Sequence, residues 1–281
     1  MDRILYAAGG LRVGCFRRYP WQRPFADTGP IREGPLLVFP RTSVVIRHRD
    51  REPVMADPTR VMLYNPGQEY TRRAVTNRGD ECEWFAFPPE IVADAMRDVD
   101  PAVADRGERP FLDVWAPSPR DAYLLQRRVT EHLLRSERRS ELFVEESMML
   151  LLARVVARRP ESTTARRATT AAEHRAVADA CREVVARRLG ERTSLRAIAA
   201  AVGVSPFHLA RLFRRDAGTT IHTYVHELRL RTALQRVADG DEVARIAVDL
   251  GYASHSHFTA RFRRFFGVTP SAFRRRLRAR S

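Results

Sequence analysis

Lysine is absent from this sequence, and all 49 of its basic side chains other than histidine are arginine. An arginine-only composition follows the base composition of the coding DNA, so the count says little and the placement of charge says more. Cysteine is scarce. Cys15, Cys82 and Cys181 are far apart and odd in number. Their spacing fits neither a zinc site nor a disulfide framework, which leaves buried or free thiols in a reducing compartment as the expectation. Long apolar runs are missing as well. No stretch of about 20 apolar residues is present to span a bilayer. The opening MDRILYAAGGLRVG lacks the apolar segment of a secretory signal. Together these absences lead us to expect a cytoplasmic chain with no membrane partner, no bound metal and no cofactor.

What is present is an uneven positive charge. The formal charge is +15, and residues 172–281 hold 21 arginines against 10 carboxylates, a net +11. The longer remainder carries only +4. A basic carboxyl-terminal segment suits a polyanion, of which nucleic acid is the usual one. A chain of 281 residues has room for two domains.

Residues 1–90 read as β-rich. Leu36–Phe39, Ser43–Ile46, Arg60–Tyr64 and Glu83–Phe87 are short apolar stretches punctuated by turns such as Asn65-Pro66-Gly67. Many short strands with proline and glycine between them suit a barrel or jelly roll. From about residue 90 the periodicity becomes helical, with candidates at Pro89–Val99, Asp121–Ser136 and Glu141–Arg158. Leu124, Leu125, Val129, Leu133 and Leu134 stripe the second candidate, and Leu142, Val144, Met148, Met149, Leu151, Leu152 and Val155 the third. Such stripes bury against something, either a core within the domain or a second copy of the chain, and the two readings are compatible. Residues 159–171, RPESTTARRATTA, have the composition of a solvated linker. The division is therefore 1–158, a linker at 159–171, and 172–281.

Beyond residue 172 every segment reads as helix. Glu173–Leu189 is expected to stop at Gly190 acting as a C′ glycine. Ser194 caps a short helix, Leu195–Val202, and Gly203 permits a tight turn. Ser205-Pro206 then restarts the chain as N-cap and N1 of a second helix, Pro206–Arg215. Leu209, Leu212 and Phe213 form its inner stripe, leaving His208, Ala210, Arg211, Arg214 and Arg215 outside. The plan repeats. Val243–Leu250, a Gly251-Tyr252 turn and a helix from Ser254 to Phe266 follow, with Phe258 and Phe262 inward. His255, Ser256, His257, Thr259, Ala260, Arg261, Arg263 and Arg264 share the remaining surface. The connecting helix, Ile221–Ala238, spans about 27 Å at 1.5 Å per residue. That length is compatible with recognition helices about 34 Å apart on one face of DNA. A helix bound by one apolar face, with short or bidentate donors on the other, is what major-groove reading requires. Two helix-turn-helix units at this separation in a basic segment are far more specific than one. Histidines at i and i+2 do not share a helix face, so His255 and His257 are not read as metal ligands. The run Phe273–Arg280, FRRRLRAR, is either a phosphate contact or a solvated tail.

Two segments, Ile198–Gly218 (IAAAVGVSPFHLARLFRRDAG) and Ile246–Ser271 (IAVDLGYASHSHFTARFRRFFGVTPS), resemble the AraC family of bacterial transcription regulators. The likeness covers roughly residues 172–277. It implies an all-α DNA-binding domain of about seven helices with one recognition helix in each half. It implies Phe207, Ala210 and Arg211 as base-facing in the first, and His255, Ser256, His257 and Ala260 in the second. With the flanking His208, Arg214, Arg215, Ser254, Arg261 and Arg264 these make up the expected DNA-binding set. Ala210 and Ala260 can touch a thymine methyl but cannot hydrogen-bond, and Arg261 is placed to take over as a base or phosphate contact. The resemblance further implies a cupin-like amino-terminal domain that senses a small molecule and dimerises. The fold class expected is therefore α+β: a cupin-like barrel or jelly roll with appended helices, then the helical domain.

The functional expectation is a promoter-binding regulator, not an enzyme, responding to a small-molecule effector. A homodimer would form through the 121–158 helices, and RNA polymerase would be a partner if it is an activator. An effector-independent regulator controlled by protein contacts or abundance is the alternative. An enzyme fused to the DNA-binding module is the least favoured reading. An alkyl acceptor needs a zinc-bound cysteine cluster, and only Cys15 and Cys82 lie in the amino-terminal half. A metal cupin needs paired histidines, whereas His48 stands with Asp50 and Glu52 and Tyr70 occupies the place of a later histidine. Arg47, Arg49, Arg72 and Arg73 read as exposed strand faces, with an anionic effector as the alternative. Trp84, Phe85 and Phe87 are expected to fill the barrel rather than line a pocket.

Overall fold

A computed structural model describes residues 2–22, 25, 27–49, 51–135, 140–157 and 165–278. The chain divides into two compact units, Met1–Glu161 and Ser162–Ser281. Of the expected linker, 159–164 lie outside the described residues, and 165–171 are already helical. Asp50, Ser136, Arg158, Ala279 and Arg280 also lie outside them.

The first unit is built from two antiparallel sheets. β1 (Asp2–Ala8), β2 (Leu11–Arg18), β9 (Asp80–Ala86), β4 (Leu36–Pro40), β7 (Arg60–Tyr64) and β10 (Trp115–Pro117) lie side by side in that order. The second sheet has the order β3 (Asp27–Thr28), β8 (Tyr70–Ala74), β5 (Val44–His48), β6 (Val54–Ala56). β9 lies between β2 and β4 and is buried along its whole length. Successive strand side chains point to opposite faces. Cys82, Trp84 and Ala86 therefore turn toward the second sheet, with Leu36, Val44, Ile46, Met62 and Tyr64 around them. Phe85 turns the other way, into a core with Val13, Leu37 and Phe39. Three helices close that outer core: α1 (Pro89–Met96), α2 (Arg120–Arg135) and α3 (Glu141–Val156). They contribute Val92, Val129, Leu133, Met148 and Leu152. Gly14 sits opposite Trp84 in register, and a Cβ there would lie 2.2 Å from the indole.

The expected helical stripes are only partly buried. Leu125, Val129, Leu133, Val144, Met148, Leu151, Leu152 and Val155 are inside. Leu142 is 74% exposed, Leu134 is exposed, and Leu124 and Met149 are half-buried; Leu150, outside the expected stripe, is exposed as well. Leu142 falls in the first turn of α3, beside the Ser140 cap. Glu83, on the helix-facing side of β9, is wholly buried between the guanidinium groups of Arg41 and Arg127.

The second unit contains α4 (Ala165–Arg187), α5 (Leu195–Val202), α6 (Pro206–Ala217), α7 (Ile221–Ala238), α8 (Val243–Asp249), α9 (His255–Phe266) and α10 (Pro270–Arg278). Cys181 and Val185 of α4 pack with Ile198, Leu209, Phe213, Tyr224 and Leu228. Arg182 is buried beside them. Its Nη1 reaches Asp179 at 3.1 Å and Asp216 at 2.7 Å, and the guanidinium lies 5.0 Å from the Phe213 ring centre. In the other half, Phe258 and Phe262 are fully buried, with the tilted rings of Tyr252, Phe266 and Phe273 packed around them. Gly190 departs from expectation. It is not left-handed and does not cap α4.

Glu83→Ala leaves two guanidinium groups without their shared carboxylate in a dry interior. Removing one partner of a buried ion pair costs about 3–5 kcal/mol. Urea unfolding of the full chain should show the first unit destabilised by that order, with the transition of the second unit unchanged.

Candidate nucleic-acid interface and inter-sheet cavity

Local chemistry sets each helix-turn-helix. The Ala197 N–H donates to Ser194 Oγ at 3.1 Å and opens α5, which ends at Gly203 with φ +79°. A left-handed residue there costs least when it is glycine. The His208 N–H donates to Ser205 Oγ at 3.2 Å, and Pro206 occupies the first turn of α6. In the second unit Gly251 has φ +71°, and the His257 N–H donates to Ser254 Oγ at 3.1 Å to open α9. Ser254 therefore acts first as a cap, with its hydroxyl proton left to donate.

On α6 the buried side is Leu209, Leu212 and Phe213. At 3.6 residues per turn the opposite side is Phe207, Arg211 and Arg214, spaced i, i+4, i+7. All three are exposed, Phe207 by 80%. Arg215 is exposed on one flank, while His208 and Ala210 are half-buried at the margins. On α9 the buried side is Phe258 and Phe262, and the opposite side is centred on Ala260, with Ser256, Arg263 and Arg264 around it. Ser254, His255, Ser256, His257, Ala260, Arg261 and Arg264 are all exposed. His255 opens the helix on its core-ward side. His257 and Arg261 sit together on one flank, with Arg261 Nε donating to His257 Nε2 at 3.4 Å. Arg263 is exposed next to the outermost line and was not in the expected set. Its signal was the helical angle measured from Phe258 and Phe262.

The two halves are locked to each other through backbone. A Cβ on Gly190 would lie 2.1 Å from the Asp249 carbonyl oxygen, and one on Gly251 would lie 2.4 Å from that of Gly190. Arg229, from the middle of α7, donates Nε to the Leu189 carbonyl and Nη2 to the Glu191 carbonyl, each at 2.8 Å. Gly190 is thus needed for close approach, not for ending a helix.

The first unit contains a cavity of about 350 Å³ between its two sheets. Its wall includes Phe16, Met62, Tyr64, Tyr70, Arg72 and Trp84. Trp84 therefore lines a pocket instead of filling the barrel, because it shares a strand face with Cys82, whereas Phe85 and Phe87 are core. Arg72 is also not on an exposed face. It is buried, with Nη1 2.6 Å from Asp80 and Nε 2.6 Å from the Phe25 carbonyl. Arg47 and Arg73 are exposed, and Arg49 pairs with Glu69 at 3.1 Å on the outside. Burial pushes the Cys82 thiol well above its usual pKa. His48 is buried with ring centres 5.0 Å from Tyr64 and 6.1 Å from Tyr70, and neither ring nitrogen has a hydrogen-bond partner. Burial, and then the nearby Arg51 charge, lower its pKa to about 4. The three thiols are free.

Residues 198–276 match the family described as "Helix-turn-helix domain". The HTH-type transcriptional regulator GlxA of Rhizobium meliloti is 38% identical over 95 residues, 34% of this chain and 28% of that protein. The regulatory protein PocR of Salmonella typhimurium is 30% identical over 94 residues, 33% of this chain and 31% of that protein. The regulatory protein SoxS of Salmonella typhimurium is 30% identical over 105 residues, 37% of this chain and 98% of that protein. The chain thus spans about a third of GlxA and PocR but nearly all of SoxS. No helix among the described residues is long and apolar enough to cross a membrane.

A histidine held neutral by burial destabilises the fold as acid is added, because the unfolded chain takes up its proton first. The His48 contribution is complete above pH 6.5 and is lost as pH falls toward about 4. The first unit should lose about 2 kcal/mol between pH 7 and pH 5 from this group. Urea titrations at the two pH values should show that loss shrinking in His48→Phe.

Proposed function

Because the chain belongs to the AraC family of transcription regulators, we propose that it is a sequence-specific DNA-binding regulator whose α6 and α9 each enter the major groove. The carrying observation is the pair of capped helices, each fastened by an apolar stripe and each presenting arginines on its opposite side. Phe207 and Ala260 offer apolar contact to a thymine methyl, Arg211 a bidentate donor to guanine, and Arg214, Arg263 and Arg264 contacts to phosphate. Ser256, His257 and Arg261 flank the second reading surface. Ser254, His255, His208, Ala210 and Arg215 sit at the rims, and the arginines of α10 add to the phosphate-facing charge.

The two-sheet unit fits a cupin-like jelly roll, and its cavity is where a small-molecule effector would act. The exposed Leu134, Leu142 and Leu150 of α2 and α3 support a homodimer through those helices. We place the protein in the cytoplasm, as a regulator and not an enzyme, since the relatives above are named regulators. RNA polymerase is a partner if the regulator activates. Effector-independent control remains the alternative reading, distinguished by whether any ligand of the cavity changes DNA affinity.

DNA selected from a random library by the full chain provides the test. Anisotropy titrations should give an affinity that falls linearly with log salt. Arg264→Ala should weaken binding across sequences and lower the salt slope by about 1, while Arg211→Ala should cost about 1–3 kcal/mol and relax preference at one base position. Salt-independent binding, or failure to enrich any sequence, would overturn the assignment.

A further inference from the structure

The fully buried charges on the wall of the inter-sheet cavity, Arg72 and Asp80, are matched to each other. Arg72 is the one basic side chain deep in it, and it is committed three ways. Asp80 holds Nη1 at 2.6 Å, the Phe25 carbonyl holds Nε, and the guanidinium lies 4.5 Å from the Phe16 ring centre. Both members of the Arg72–Asp80 pair are more than nine-tenths buried. The indole N–H of Trp84 is likewise committed, donating to Asp2 Oδ1 at 3.0 Å. Cys82 contributes a neutral thiol. The exposed Asp2 and the half-buried Arg18 and Glu33, one basic and one acidic, also line it, and the remaining buried wall is aliphatic and aromatic, with Tyr64 and Tyr70 ring centres 4.9 Å apart. A volume of about 350 Å³ lies in the range of small-molecule pockets. Two sheets packed face to face are about 10 Å apart, so the space between them is a slab.

From this we infer that the cavity binds an uncharged, flat, largely apolar molecule, aromatic or polycyclic, and discriminates against an anionic or cationic counterpart of similar shape. An anion would shed its water to meet an arginine already neutralised by Asp80. The penalty of burying an unpaired charge exceeds what the apolar walls return. A cation would meet the aromatic faces, which attract positive charge. The Phe16 ring, however, already carries Arg72, and Arg18 lies 5.8 Å from its centre. A neutral ring system instead replaces water against Phe16, Tyr64, Tyr70 and Trp84 and leaves every existing pair intact. This deepens the effector reading and rests on it for any consequence at DNA, but the ligand class itself follows from the wall.

The test is fluorescence titration of the full chain with N-phenyl-1-naphthylamine, with its sulfonated anionic analogue 1-anilinonaphthalene-8-sulfonate, and with the cationic dye thioflavin T. The neutral probe should bind at least tenfold more tightly than either charged one. Val38→Trp, at a half-buried wall position, should abolish its binding. If that variant does not fold, energy transfer from tryptophan to the neutral probe decides the matter, since it should drop sharply in Trp84→Phe, which keeps an aromatic wall. A charged probe binding within tenfold of the neutral one overturns the inference. So does transfer unchanged in Trp84→Phe, or no binding of the neutral probe to the folded chain. DNA affinity is measured in parallel, with and without the neutral probe. Selective probe binding with unchanged DNA affinity supports the ligand class and overturns the effector reading. Absence of DNA binding both with and without the probe overturns the regulator reading and leaves the ligand class standing.

Discussion

The second unit depends on one backbone contact. The carbonyls of Gly190 and Asp249 and the α-carbons of Gly190 and Gly251 approach so closely that no side chain fits between them. Arg229 spans the junction from α7, satisfying the carbonyls of Leu189 and Glu191. One side of this junction is the end of α4, which packs on α5 and α6. The other is the turn between α8 and α9. The relative placement of the two candidate recognition helices is therefore carried by hydrogen-bonded backbone in addition to the 18 residues of α7. Positioning two reading surfaces on one duplex demands such rigidity, because a small misplacement of either helix forfeits its base contacts.

The first unit is organised by an equally simple rule applied at β9. Alternate residues of DECEWFA face opposite sides, with Asp80 charged on the cavity side and Glu81 and Glu83 on the other. Asp80 is matched by Arg72 within the cavity, whereas Glu83 is matched by Arg41 and Arg127 under the helices. Such pairs add little net stability, since desolvation offsets the attraction. Within the cavity, the Arg72–Asp80 pair leaves the buried part of the wall without net charge.

Much of this architecture could be read from the chain. Ser194, Ser205 and Ser254 followed by amphipathic stretches, with Gly203 and Gly251 between the helices, gave both helix-turn-helix units nearly to the residue. Strands β4, β5, β7 and β9 were visible as apolar runs. The hairpin of β1 and β2 was not read, although Gly9-Gly10, both with positive φ, is the pair that a tight hairpin turn uses. Arg263 follows from the angle around α9 measured from Phe258 and Phe262, and not from the family's base-facing positions. Strand alternation separates Trp84, on the cavity side, from Phe85 and Phe87 in the core, so three neighbouring aromatics divide between two surroundings.

Caps, turns and helical stripes act over three or four residues, so their meaning is contained in the local order of the amino acids. That order sufficed for both helix-turn-helix units, for the inner and outer sides of α6 and α9, and for the family. Gly190 shows where it stopped. In the chain it is a glycine after a helix, and only contact with Asp249, 59 positions away, explains it. The same holds for Arg72, which reads as one of many arginines until folding sets it against Asp80 and Phe16. Desolvation and close approach depend on which distant segments surround a group, and no local pattern encodes that.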